Sequence, residues 1–287
     1  MRRALRWAAI GLGGVLALLV VAALAVFGLS EMALRKEHRA AAETLAAPTP
    51  AQTADAGRQA RIAGCVTCHG EGLGGKVMFD APGVARVYAP NLTEVAAKAS
   101  DQQLAAAIRQ GIGHDGRALF VMPSPEYSHM TDHEVAALIA WIRAQPRVQR
   151  PSEPIRLGPL GRLGIALGSF PPAPQMVEEF RRVVPIDLGP SHAAARHIVM
   201  TNCTECHGPA LFGQEMPSGD KPPDLTVAAG YDPAQFRTLM RRGVTPAGKK
   251  LGLMREVAVS DFSHLTDAEL DAIHAYLVAR AKRLGGT

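Results

Sequence analysis

Aromatic residues are scarce: Trp 2, Tyr 4 and Phe 8 make up 5% of 287 positions. That is thin filling for two ordinary cores, so something other than aromatic side chains is expected to occupy part of the interior. Cys 4 is too few for a disulfide scaffold. Charge of one sign is not in large excess. Lys+Arg 31 against Asp+Glu 26 leaves +5, which is not the strongly basic surface of a nucleic-acid binder. No segment shows the period-two alternation of a strand. The remaining composition, 47% hydrophobic and 20% charged, excludes wholesale disorder. The length allows one large or two modest domains.

A long uncharged run is present. After Arg2, Arg3 and Arg6, no charge occurs from Ala8 to Leu29. At 1.5 Å per residue the run reaches about 33 Å, enough to cross a hydrocarbon core of roughly 30 Å. Ala23-Leu24-Ala25 also fits a small-x-small cleavage site, so a signal peptide competes with a retained anchor. The run continues past that site through Val26-Phe27-Gly28-Leu29, which favours retention. Basic residues flank both ends, so loop charge does not set orientation. Residues 30–47 are expected to continue as a helical stalk, with Glu31/Arg35 and Arg39/Glu43 at i,i+4. Pro48 and Pro50 end it.

The chain repeats itself. Cys65-Val66-Thr67-Cys68-His69-Gly70 returns as Cys203-Thr204-Glu205-Cys206-His207-Gly208, 138 positions later. Pro90-Asn91-Leu92-Thr93 returns as Pro223-Asp224-Leu225-Thr226, Arg109-x-Gly111 as Arg241-x-Gly243, and Ser128-His129-Met130-Thr131-Asp132 as Ser263-His264-Leu265-Thr266-Asp267. Four matches in order indicate a duplicated domain. The expected division is 1–50 anchor and stalk, 51–148 first domain, 149–186 connector and 187–287 second domain. The stretch from Pro151 to Pro190 is rich in Pro and Gly, with a basic-apolar segment at 156–170. It reads as a linker packed on the domains, or partly against the membrane surface. Each domain is expected to be all-α. Helices are predicted near 55–65, 101–110, 191–203 and 233–242. Capping boxes at Thr131-Asp132-His133-Glu134 and Thr266-Asp267-Ala268-Glu269 open a last helix in each repeat. Trp141 and Tyr276 share one repeat position. Gly57 and Ala195 share another, where small residues would let the first and last helices cross closely.

Cys-x-x-Cys-His carries the chemistry. Two thiols three positions apart on a helical turn can each add to one vinyl group of a haem, and the next residue brings an imidazole to the iron. A thioredoxin-like reading needs a βαβ setting, which is missing, and a zinc site needs four ligands. Two covalent haem c groups are therefore expected, at Cys65, Cys68 and His69 and at Cys203, Cys206 and His207. Haem also accounts for the few aromatics, and its propionates offset most of the net charge. A sulfur opposite histidine suits an electron carrier. Met122 and Met254 each lie 11 residues beyond the glycine of the Arg-x-Gly match, far enough to reach the other face of the ring. Met78 and Met216 also fall in register, but so close to each histidine that they stay on its side. Met130 and Met240 read as core. The carbonyls of Pro90 and Pro223 are candidate partners of the ligand imidazoles. Arg109 and Arg241 are either propionate partners or solvated helix charges.

On both Cys-x-x-Cys-His-Gly motifs, on Tyr88-Ala89-Pro90-Asn91-Leu92-Thr93 and on the Thr-Asp-x-Glu helix openings, the chain resembles membrane-anchored dihaem c-type cytochromes. It is similar to the cytochrome c subunits of bacterial periplasmic dehydrogenases. The resemblance implies two tandem cytochrome c domains with His/Met iron behind a transmembrane helix. It places the haem domains in the periplasm, anchored in the bacterial inner membrane. It also implies an electron carrier rather than an enzyme, working between a periplasmic dehydrogenase and the respiratory chain or a terminal oxidase. The alternative is a dihaem redox enzyme, a peroxidase or sulfur-compound dehydrogenase.

Overall fold

In the computed structural model, residues 2–216 and 219–285 are described. The uncharged run forms helix α1, Arg2–Arg35. It is long and apolar enough to cross a membrane. The Glu31–Arg35 pair closes at 2.7 Å in its last turn.

The expected stalk helix stops there. Residues 36–49 run without helix, because tertiary partners outcompete the local i,i+4 pair. Helix α2, Pro50–Ile62, starts behind the N-cap Thr49 with Pro50 at its first position. Helix α3, Cys65–His69, follows a left-handed Gly64. Next comes a hairpin, β1 (Lys76–Ala81) and β2 (Ala85–Ala89). Helices α4 (Leu92–Lys98), α5 (Asp101–Gln110), α6 (Ser124–Tyr127) and α7 (Asp132–Arg143) complete the first repeat.

The stalk is held by side-chain amides of α5. Gln110 Oε1 accepts from Ala41 N–H at 2.8 Å and its Nε2 donates to Ala41 O at 3.0 Å. Gln102 does the same at Glu43, at 2.9 Å each way. Glu37 bridges Arg117, with His38 N–H donating to Gly116 O at 2.8 Å, and beyond that bridge the segment satisfies part of its backbone on two glutamines.

The connector has structure of its own. Strand β3, Arg156–Leu157, pairs with β2 to give the antiparallel order β1-β2-β3. Helices α8 (Pro159–Ala166) and α9 (Ala173–Arg182) follow. This small sheet departs from the expectation of no strands. Its register slips between Val77 and Phe79, and its burial does not alternate, so the sequence carries no period-two signal.

The second repeat contains α10 (Ala193–Asn202), α11 (Thr204–His207), α12 (Pro233–Arg242), α13 (Gly252–Ser260) and α14 (Asp267–Arg283). Both predicted capping boxes form, at Thr131 with Glu134 and at Thr266 with Glu269. A core gathers in each repeat. One holds Leu73, Leu104, Val135 and Ile139, the other Leu211, Leu270, Ile273 and Tyr276. The predicted helix crossing is present. A Cβ at Gly57 would stand 2.9 Å from Trp141 Nε1.

Candidate functional site

In the first repeat α3 carries both thiols and the imidazole; in the second, Cys203 is the N-cap of α11, which carries Cys206 and His207. Positions i and i+3 share a face, so Cys65 and Cys68 on α3 point one way, as do Cys203 and Cys206. All four are half-buried. Burial pushes the Cys68 thiol up to about 11, and those of Cys65 and Cys206 to about 12. Among the described residues no group of three or more His, Cys, Asp or Glu gathers as a metal cage.

The imidazoles are oriented by backbone. His69 Nδ1 donates to Pro90 O at 2.8 Å, and His207 Nδ1 donates to Pro223 O at 2.8 Å. A carbonyl only accepts, so Nδ1 carries the hydrogen and Nε2 keeps its lone pair for a metal. Burial pulls both imidazoles below the usual histidine range despite these carbonyls, which keeps them neutral. These are the two carbonyls singled out from the sequence.

The chain then folds back so that the carbonyl can reach. Gly75 N–H donates to His69 O at 2.8 Å and Gly213 N–H to His207 O at 2.9 Å. Both glycines have positive φ, +79° and +82°. A Cβ on Gly75 would stand 2.8 Å from Ala89 O, and one on Gly213 2.6 Å from Pro222 O. The loop therefore presses directly on the segment that presents the proline carbonyl. Leu73 and Leu211, two residues earlier in each repeat, take φ of 58° and 65° and are fully buried. Core burial holds them in a conformation that non-glycine residues avoid.

The proline carbonyls have supports of their own. Buried Asn91 donates from Nδ2 to Val148 O at 2.7 Å and Arg150 O at 2.8 Å, and caps α4 through Thr93 N–H at 3.0 Å. Its repeat partner Asp224 accepts from Thr226 N–H at 2.8 Å and pairs with Arg280 at 2.9 Å. Burial opposes ionisation of Asp224, but these two donors outweigh it and hold the carboxyl below the usual range. Arg280 also donates to Ala210 O at 2.9 Å, while Arg150 donates to Gly75 O at 2.9 Å. The second repeat buttresses its loop from α14, the first from the start of the connector.

Met122 packs into the same apolar cluster as Cys65, and Met254 into the same cluster as Cys203. Met122 lies in the loop before α6; Met254 lies on α13. Met78 and Met216 belong to neither cluster. Met130 packs on the first core and Met240 is buried in the second. A cleft opens beside Met122, lined also by Phe120, Glu126, Met176, Phe180 and Glu205.

Arg109 and Arg241 are each held by a carboxylate that opens the last helix of their repeat. Arg109 is buried between Glu43 and Asp132, and Arg241 binds Asp267 together with the Ser263 and Leu265 carbonyls. They clamp the start of each last helix to the middle helix.

The two sites face one another through reciprocal contacts. Thr67, inside the first Cys-x-x-Cys, donates through Oγ1 to Asp261 of the second repeat. Glu205, inside the second, donates its N–H to Glu126 of the first at 3.1 Å. Thr67 and Glu205 are repeat partners, and so are Glu126 and Asp261. Arg58 on α2 pairs with Glu269 at 2.8 Å, and His197 on α10 with Glu134, the repeat partner of Glu269, at 2.8 Å. Nothing in the residue pattern signals these contacts, because each partner reads as an ordinary cap or loop residue. Tyr127, whose hydroxyl donates to Ala63 O, is likewise found only in the fold.

The donor set fits haem c. Each repeat offers two thiols on one face, an imidazole with Nε2 free and its tautomer fixed, and a thioether in the same apolar cluster. Residues 52–142 match the family described as cytochrome c oxidase, cbb3-type, subunit III, and residues 192–280 match the family cytochrome c. The chain is similar to the fructose dehydrogenase cytochrome subunit of Gluconobacter japonicus, at 26% identity over 75% of this chain and 50% of that protein. It thus spans about half the length of this relative. It carries two cytochrome c domains, which bind haem c covalently and serve electron transfer.

Proposed function

We propose that this chain, with its two cytochrome c domains, is a membrane-anchored dihaem electron carrier. It takes electrons from a periplasmic dehydrogenase and delivers them to the respiratory chain, a terminal oxidase being one class of acceptor. In this reading residues 1–50 are anchor and stalk, 51–148 and 187–287 are the haem domains, and 149–186 connect them. Helix α1 crosses the bacterial inner membrane and the domains stand in the periplasm. Cys65, Cys68, Cys203 and Cys206 form the thioethers. His69 with Met122 and His207 with Met254 would hold the two irons.

Haem iron, when bound, supplies one reversible electron per domain, with histidine and thioether ligation raising its potential. The chain does the rest. Pro90 and Pro223 fix the imidazoles by accepting from Nδ1. Asn91, Asp224 and Arg280 hold those loops still, which limits rearrangement when charge changes. A tether raises the local concentration of the carrier at a membrane partner. The observation that carries the reading is the Cys-x-x-Cys-His motif found twice, each with its histidine on a proline carbonyl. The relative's role as a dehydrogenase's cytochrome subunit supports the choice of donor.

The mature chain purified from membranes should show, by intact mass, two added haems and a retained α1, and a dehydrogenase should co-purify with it. Met122→Ala and Met254→Ala should each remove half of the weak sulfur-to-iron absorption at the red end of the spectrum and lower one of two potentials. Unchanged spectra in both variants would refute the methionine assignment. A chain with no added haem would refute the reading as a whole.

A further inference from the structure

The uncharged run of α1 ends at Leu29. The next residue, Ser30, is wholly buried, although most of the helix before it is exposed. What covers it is α8, from the connector. Arg162 of α8 makes the join. Its guanidinium donates to Ser30 Oγ at 2.9 Å, pairs with Glu31 at 2.9 Å and lies 4.3 Å over the ring of Phe27. Phe27, Ser30 and Glu31 stand at i, i+3 and i+4, on one face of α1.

The other side of α8 is set against the first haem domain. A Cβ at Gly161 would stand 2.2 Å from Val84 O, and one at Gly158 2.4 Å from Gly83 C. The helix therefore sits backbone to backbone on the turn of the β1–β2 hairpin, and cannot roll. With two faces taken, a third remains. It carries Leu160, Leu163 and Leu167 at i, i+3 and i+7, exposed by 59%, 39% and 71%. Phe170 beyond them is 37% exposed. Residues 155–170 include Arg156 and Arg162 and no acidic residue.

We infer that α8 lies on the surface of the bilayer that α1 crosses, with Leu160, Leu163 and Leu167 seated at the boundary between headgroups and acyl chains. The inference rests on the reading of α1 as a retained membrane anchor. The occupant is lipid rather than a protein because of where the stripe is. It joins α1 at the last turn of the uncharged run, beside exposed Leu24, Phe27 and Leu29, so the two apolar surfaces are continuous. Interfacial helices of this kind are held chiefly by the apolar area they bury, since Arg162 is already spent on Glu31 and Ser30 of α1. The consequence is a fixed stance. The first haem domain is joined to the membrane by α1, by α8 and by the glycine contact between α8 and the hairpin, rather than hanging from a loose stalk.

Nitroxide labels test this in the full haem-loaded chain, whose native cysteines are consumed as thioethers. Single cysteines are placed at Leu163→Cys, at Leu167→Cys, at Val20→Cys within α1 and at Lys249→Cys in the second domain. The chain is reconstituted in vesicles of phosphatidylglycerol and phosphatidylcholine. Collision with oxygen, which partitions into lipid, is compared with collision with a water-soluble nickel chelate. The expected result is an oxygen-to-nickel ratio at 163 and 167 severalfold above that at 249 and below that at 20. If 163 and 167 match 249 while 20 reads as lipid, the surface contact is refuted and the anchor stands. If 20 also reads as water, the anchor reading falls and this inference falls with it.

Discussion

Gly75 and Gly213 show how little room the haem-motif loops leave. At both positions positive φ coincides with backbone within 2.9 Å of any added Cβ. Gly72 has similar φ, +72°, but open space around it. Gly72→Ala should therefore cost only the left-handed penalty, about 1–2 kcal/mol. Gly75→Ala should cost clearly more and should loosen the His69–Pro90 bond. Urea unfolding of the two variants separates them. An equal loss would show that the loop yields freely. Residues of this kind were only partly legible in the sequence. Cys65, Cys68, His69 and their partners announce their chemistry by type and spacing. Leu73 and Leu211 do not, since a leucine held at positive φ looks like any core leucine until the fold is seen.

Among the elements, the last helix of each repeat is legible from its capping box, whereas α2 starts at Pro50 rather than near 55, behind a Thr49 cap that the two prolines mask, and α4, capped by Asn91, lies where a loop is expected. Helices α5 and α12 fall in the ranges predicted for them, 101–110 and 233–242, and α7 and α14 begin at their capping boxes. The stalk failed as a helix because Gln102 and Gln110 offer its backbone partners that no local pattern reveals. The β1–β2–β3 sheet stayed hidden because a register slip and uneven burial erase its period. The two arginine clamps make a paired test. In the Arg109 pair, 9% of the arginine side chain and 6% of the Glu43 side chain are exposed. In the Arg241 pair the Asp267 side chain is 71% exposed. Arg109→Met strands a buried carboxylate and should cost about 3–5 kcal/mol. Arg241→Met leaves its partner in water and should cost far less. Thermal unfolding of both variants gives the comparison, and equal losses would refute the burial argument.

The whole molecule is two similar domains joined through their haem-motif faces. Arg58, held by Asp55 and Glu269, is central to the junction. Arg58→Leu should uncouple the domains, splitting one calorimetric transition into two; a single unchanged transition would show that the join lies elsewhere. The junction should also respond to pH. Burial, reinforced by the nearby Glu205 carboxylate, raises Glu126 well above the usual carboxylate range. Its ionised form is thus disfavoured in the folded state. The penalty is absent near pH 4, where folded and unfolded chains are both protonated, and grows as pH rises above the ordinary glutamate value. Glu126→Gln should accordingly be more stable than the parent at pH 8 and no more stable at pH 4, as read by denaturant midpoints. The pattern of the junction has a history built into it. When position a of one unit meets position b of the other, and b meets a, the geometry is that of a symmetric homodimer. Two such copies on one polypeptide are no longer bound to identical sequence. Hydroxyl against carboxylate at Thr67 and Asp261, and amide against carboxylate at Glu205 and Glu126, are the same handshake after each hand was free to change alone.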